Sequence, residues 1–168
     1  KHEFLESLLK YDKKQSFGIT IESKFTENFI ERLPFTLTDG QRNALDRVFD
    51  SLQSTQPSRV LIQGDVGCGK TIVAVIACLN VVRNGYQCLV LVPTEVLCNQ
   101  HFKTFTSLFS DIGKVVMLSG KDSSSKKEDI KLELINGKIS ILVATHALLY
   151  DDYLSLIHIS EPTRRLSI

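Results

Sequence analysis

From Arg59 onward, short β-branched runs alternate with longer amphipathic segments, and this alternation restricts the chain to architectures of parallel strands joined by crossover helices. Residues 60–63, 88–92, 115–118 and 139–144 are almost continuously apolar, as strands covered on both faces must be. Between them, residues 71–83 form a nearly all-apolar helix pattern. Residues 95–109 space Leu97, Phe102, Phe105, Leu108 and Phe109 at helical intervals, and residues 125–135 repeat Ile130 and Leu134. Asn84-Gly85 and Asn136-Gly137 supply helix stops that tolerate left-handed dihedrals. The expected fold is therefore a three-layer α/β domain with a parallel sheet, right-handed crossovers and a ligand site at the carboxyl edge of the strands.

Upstream, residues 38–52 form another amphipathic helix, with Ala44, Leu45, Val48, Phe49 and Leu52 on one face, and 53–58 read as a polar linker. A short helical pattern over 26–33 carries too little apolar surface for a core of its own, so 1–32 is expected to be a connector or the end of a preceding domain. With 168 residues, 43% of them apolar, the chain suffices for one globular domain. Twenty Lys and Arg against nineteen Asp and Glu leave a net charge of +1, so no global field can carry nucleic-acid or membrane binding. Any such contact must be local.

No apolar run approaches the roughly 18 residues needed to span a bilayer, and 1–14 is charged throughout without a signal-peptide core. The expectation is a cytoplasmic, monomeric protein with no membrane partner. A first residue other than Met and the lack of a closing element at Ile168 suggest a fragment of something longer. The four cysteines, Cys68, Cys78, Cys88 and Cys98, match neither a zinc spacing nor a disulfide framework. All but Cys68 lie in apolar stretches, where a reduced thiol behaves as a small hydrophobe.

The octapeptide Gly64-Asp65-Val66-Gly67-Cys68-Gly69-Lys70-Thr71 fits G-x-x-x-x-G-K-[ST] and stands between an expected strand and an expected helix, where the chemistry needs it. Glycines let successive backbone N–H groups turn inward around phosphates, the helix presents its positive end to them, and the Lys70 ammonium can bridge the β- and γ-phosphates. Thr71 offers a hydroxyl to Mg²⁺, so the expected ligands are ATP and Mg²⁺. Such a loop serves kinases, GTPases, transporters and helicases alike. The remaining blocks have to discriminate. Thr38-x-x-Gln41 is by itself an acceptable capping box, and Thr94 an ordinary N-cap. Pro93-Thr94-Glu95, Ser119-Gly120 and Thr145-His146 each follow an expected strand, which collects them at the ligand-binding edge of a parallel sheet. Lys121, Lys126, Lys127 and Lys131 interleave with Asp122, Glu128, Asp129 and Glu133, the pattern of a solvated helix face, with phosphate contact left open.

Taken in order, the stretches 33–41, 63–71, 92–102, 118–120 and 143–149 resemble the first motor domain of RecG-type ATP-dependent helicases of superfamily 2, which remodel branched DNA. Transcription-repair coupling translocases share much of this pattern. The resemblance covers residues 33–152 and implies an ATP-binding motor half, with Gln41 reading the adenine edge and Phe35 packing near the base. It also implies that Pro93, Thr94, Glu95, Ser119, Gly120, Thr145 and His146 face the DNA strand, where short polar groups and backbone N–H donors suit phosphates. Such helicases hold Mg²⁺ and the attacking water with an Asp-Glu pair ending an apolar strand, and take arginines from a second motor domain. After Asp152 no Asp-Glu pair appears, and Glu161 lies between Ser160 and Pro162. Residues 153–168 resemble a translated sequencing-adapter read-through and are expected to be a non-native tail, leaving a fragment that binds nucleotide without efficient turnover.

Overall fold

The computed structural model describes residues 18–56 and 59–146. The start of the expected connector, residues 147–152 of the motor segment and the expected tail over 153–168 lie outside the described residues. The chain divides into two compact units, Lys1–Asn80 and Val81–Ile168.

In the first unit, α1 (Ser23–Glu31) and α2 (Asp39–Gln53) precede α3 (Lys70–Arg83), which continues past Asn80 into the second unit. Helix α2 begins where its cap dictates. Thr38 Oγ1 accepts from the Gln41 backbone N–H at 3.3 Å while Gln41 Oε1 accepts from the Thr38 N–H at 2.9 Å, so two donors that the helix start leaves orphaned are satisfied reciprocally. Its inward face buries Leu45, Val48 and Leu52 at helical spacing. Ile19 is buried too, and its N–H reaches the Leu52 carbonyl at 2.8 Å. In α1 the buried Thr26 hydroxyl donates to Asn80 Oδ1 at 3.1 Å, and the Asn80 amide donates to the Ile76 carbonyl at 3.1 Å. This pairing lets two polar side chains sit inside an otherwise apolar layer without a desolvation penalty. The all-apolar pattern of α3 reflects burial all round: every residue from Ile72 to Asn80 is buried.

One expectation is corrected here. Residues 60–63 do not form a β-strand, and Val60 and Leu61 are exposed. A strand exists only where a neighbour takes up its backbone donors and acceptors, and no strand among the described residues pairs with this run. Apolar β-branched content alone does not create one.

The second unit holds a parallel three-stranded sheet in the order β1-β3-β2, with β1 at Cys88–Val92, β2 at Val115–Leu118 and β3 at Ile141–Thr145. Cys88 to Val92 align with Ile141 to Thr145, and Val115 to Leu118 with Ile141 to Ala144. Helices α4 (Glu95–Phe109) and α5 (Ser124–Ile135) make the crossovers. The first crossover moves across the sheet in one direction and the second moves back, so the right-handed sense of such connections puts the two helices on opposite faces. Ile130 and Leu134 of α5 pack with Leu89, Leu91, Leu118, Leu142 and Ala144, the alternate residues of all three strands. On α4, Cys98, Phe105 and Phe109 are buried, the two rings 5.9 Å apart. Full burial of a large side chain contributes about 1.5–3 kcal/mol, against about 1 kcal/mol for a helix cap. Packing, with capping second, therefore holds α4 in place. The strand expected over 139–144 occupies Ile141–Thr145, and the Ile139 carbonyl before it accepts from the Gln87 amide at 2.8 Å. Gly85 and Gly137 end α3 and α5 at φ 80° and 67°, as their Asn-Gly pairs predict. No helix among the described residues is long and apolar enough to cross a membrane.

Candidate functional site

In the first unit the phosphate-loop residues Gly64, Asp65, Val66, Gly67 and Cys68 are exposed, and Gly69, Lys70 and Thr71 half-buried. Gly67 and Gly69 take φ of 84° and 78°, a region that other L-residues enter only at a cost. The turn is closed by the Cys68 N–H on the Asp65 carbonyl at 3.3 Å. Lys70 Nζ donates back to the Gly64 and Asp65 carbonyls at 2.7 and 2.8 Å and touches Cys68 Sγ at 3.7 Å. Its ammonium is therefore held at the centre of the loop. Side chains are excluded from this cradle: a Cβ on Gly64 would lie 2.7 Å from Cys68 Sγ, and one on Gly69 would strike Gln41 Nε2. Helix α3 starts at Lys70, so first-turn N–H groups without intrahelical partners, and the positive end of the helix dipole, stand at the loop. A loop of this shape can receive a polyphosphate, and the Asp65 carboxylate and the Thr71 hydroxyl beside Lys70 are oxygen groups of the kind that Mg²⁺ takes.

Gln41 joins this loop from another element. Its Oε1 is held by the Thr38 N–H in the α2 cap, and its Nε2 donates to the Cys68 carbonyl at 2.9 Å, across 27 positions of sequence. The capping box and the loop thus share one amide. Phe35, upstream of the cap, is 49% exposed.

In the second unit the parallel register brings the carboxyl ends of all three strands to one edge. Pro93, Thr94 and Glu95 follow β1, Ser119 and Gly120 follow β2, and Thr145 ends β3 with His146 after it. Thr94 is the N-cap of α4, its Oγ1 accepting from the Leu97 N–H at 3.3 Å, and it remains exposed, as do Pro93, Gly120 and His146. Ser119 and Thr145 are buried. Glu95 is half-buried, and its Oε2 accepts from Lys121 Nζ at 2.6 Å. That bond, chiefly, and the Coulomb attraction behind it raise the Lys121 ammonium above its ordinary value.

Sequence reasoning missed Asp122. Its Oδ2 accepts from the Ser119 N–H at 2.7 Å, its own N–H donates to the Ser119 carbonyl at 3.2 Å, and its Oδ1 accepts from Lys126 at 2.6 Å. Burial alone would raise this carboxyl, but the bonds from Lys126 and the Ser119 amide outweigh it and hold Asp122 below the usual carboxylate value. An Asp three residues after a strand-end Ser was the available signal. Burial, with Asp122 and Glu95 adding, pushes the Cys98 thiol up, so it packs as an inert hydrophobe. His101 on α4 carries a buried Nδ1 with no hydrogen-bond partner, and burial lowers its pKa.

Residues 38–167 match the DEAD/DEAH box helicase family model. The chain belongs to that family. It is 41% identical over 140 residues to the ATP-dependent DNA helicase RecG of Aquifex aeolicus, an alignment covering 83% of this chain and 18% of that protein. A structure of RecG bound to a three-way DNA junction matches with a TM-score of 0.78 and 38% identity, over 89% of this chain and 21% of that one. A hypothetical ATP-dependent RNA helicase from Sulfolobus tokodaii, 21% identical, shares the fold at a TM-score of 0.57 over 80% of this chain and 37% of that chain. The resemblance read from the sequence blocks and the α/β fold with a parallel sheet are both borne out. The chain spans about a fifth of the RecG proteins it matches.

Proposed function

We propose that this chain is part of the ATP-binding motor half, residues 33–152, of a cytoplasmic, monomeric ATP-dependent DNA helicase or translocase that remodels branched DNA such as forks and junctions. The observation that carries the reading is the likeness to the junction-bound RecG structure over 89% of the chain. The backbone donors of Gly67, Cys68 and Gly69 and the α3 start receive the phosphates, with Gly64, Asp65 and Val66 shaping the turn. Lys70 exchanges its two loop carbonyls for phosphate oxygens, which keeps its charge paired throughout. Thr71 would hold the Mg²⁺, and Gln41 recognises the adenine, with Phe35 packing near the base. Bound Mg²⁺ would offset the negative charge that develops on the transferring phosphate. Pro93, Thr94, Glu95, Ser119, Gly120, Thr145 and His146 form the DNA-facing edge of the second unit.

Helicases of this kind use an Asp-Glu pair for hydrolysis, and no Asp-Glu dipeptide occurs in this sequence. Binding without appreciable turnover is the expected behaviour. Calorimetric titration of the chain with Mg·ADP, beside Lys70→Ala, tests the reading. Saturable binding that disappears in the variant is expected. Equal affinity in the two would remove the loop assignment, and brisk DNA-stimulated hydrolysis would remove the claim about turnover.

A further inference from the structure

The DNA-facing edge contains a misfit. Glu95 is an anion on a face expected to meet phosphates, and the α4 start does not need it as a cap because Thr94 fills that position. The carboxylate is spent elsewhere, on Lys121 Nζ at 2.6 Å. Both Asp122 oxygens already serve Ser119 and Lys126, and Lys121 takes its counter-ion from Glu95 instead. The Lys121 side chain is 83% exposed and that of Glu95 38%, so this ion pair is open to solvent and joins the loop after β2 to the start of α4.

We propose that Lys121 is a DNA-phosphate contact and Glu95 its exchangeable counter-ion, displaced when a backbone phosphate reaches the edge. The inference rests on the DNA reading above. An exposed pair is weak and salt-screened, so giving it up costs little. A phosphate that takes Lys121 also releases a condensed cation from the DNA, which drives the exchange forward. Until that happens the pair leaves the edge locally neutral. Glu95 thereby lowers affinity for any strand that does not bring a phosphate to Lys121, which turns a nonspecific cation into a position-sensitive one.

The test is binding of a fluorescein-labelled three-way DNA junction to the 168-residue chain by anisotropy across a salt series, with Lys121→Gln, Lys121→Arg, Glu95→Gln and the double variant E95Q/K121Q. Lys121→Gln is expected to reduce the slope of log affinity against log salt by about 0.9, and Lys121→Arg to keep the parent slope. Glu95→Gln should raise low-salt affinity roughly two- to fivefold, the size of freeing one exposed pair. In the double variant that gain should vanish. An unchanged slope in Lys121→Gln, whose exposed position carries no folding risk, overturns the inference and leaves the DNA reading standing. So does a cooperatively melting Glu95→Gln that binds no better than the parent. No salt-dependent binding by the parent overturns both.

Discussion

Gly69 holds φ at 78° and sits against the Gln41 amide, so two separate constraints meet on one residue. Gly67 carries only the first, since nothing lies within 4 Å of where its Cβ would be. The pair therefore separates backbone strain from lost contact. Gly67→Ala should cost about 1–2 kcal/mol, the ordinary penalty for a side chain in the left-handed region. Gly69→Ala should cost more and weaken Mg·ADP binding further, because it also pushes Gln41 off the Cys68 carbonyl. Urea unfolding with parallel calorimetry checks both, and equal losses at the two positions would show that the Gln41 contact does not matter. The glycines and Lys70 were legible from spacing alone. That Gln41 reaches the loop was not, because the bond crosses 27 positions and capping already accounted for the residue.

At the scale of elements, helices followed the sequence closely and strands did so only where partners existed. Helix α4 occupies Glu95–Phe109 and β2 Val115–Leu118, as periodicity predicts, whereas 60–63 has strand composition and no strand. Helix bonds close within four residues, so a cap and an apolar stripe suffice to specify them. The α2 cap is the most self-contained example. Thr38→Ala removes the acceptor for the Gln41 N–H and should lower stability by about 1 kcal/mol, read as a shift in urea midpoint at unchanged slope. Nucleotide affinity should change little, because the residue-38 backbone N–H that holds Gln41 Oε1 survives the substitution. A marked loss of affinity would mean that the Thr38 hydroxyl, by fixing the helix start, also sets where the amide points.

For the molecule as a whole, acidity should erode stability in two stages. Burial depresses His101, so the folded state resists the proton that the unfolded chain accepts; stability is complete above the ordinary value of 6.5 and declines as pH falls below it. Asp122 is also held low, but as a carboxylate, so its contribution persists until pH falls below the ordinary 3.8 and through its folded value. Melting temperature against pH should show both limbs. His101→Leu should flatten the first, and it removes a buried nitrogen that no group satisfies, so it should not destabilise at pH 8. Asp122→Asn should reduce the second limb. A single transition below pH 4 in the parent would show that His101 is not coupled to folding.

The sequence by itself determined what depends on neighbours along the chain: the helix starts at Thr38 and Thr94, the Asn-Gly stops, the apolar runs at 88–92 and 115–118, and the glycine pattern with Lys70 that defines the phosphate loop. Tertiary structure decided what depends on distant partners. It withheld a strand from 60–63, set the parallel register that lines up Leu91, Leu118 and Ala144, gave Glu95 a lysine 26 positions away, and left His101 Nδ1 buried without a bond. Local bonds are specified by spacing, which a sequence displays. Sheet pairing, ion-pair choice and burial depend on which segments the fold brings together, and residue identity alone does not specify that.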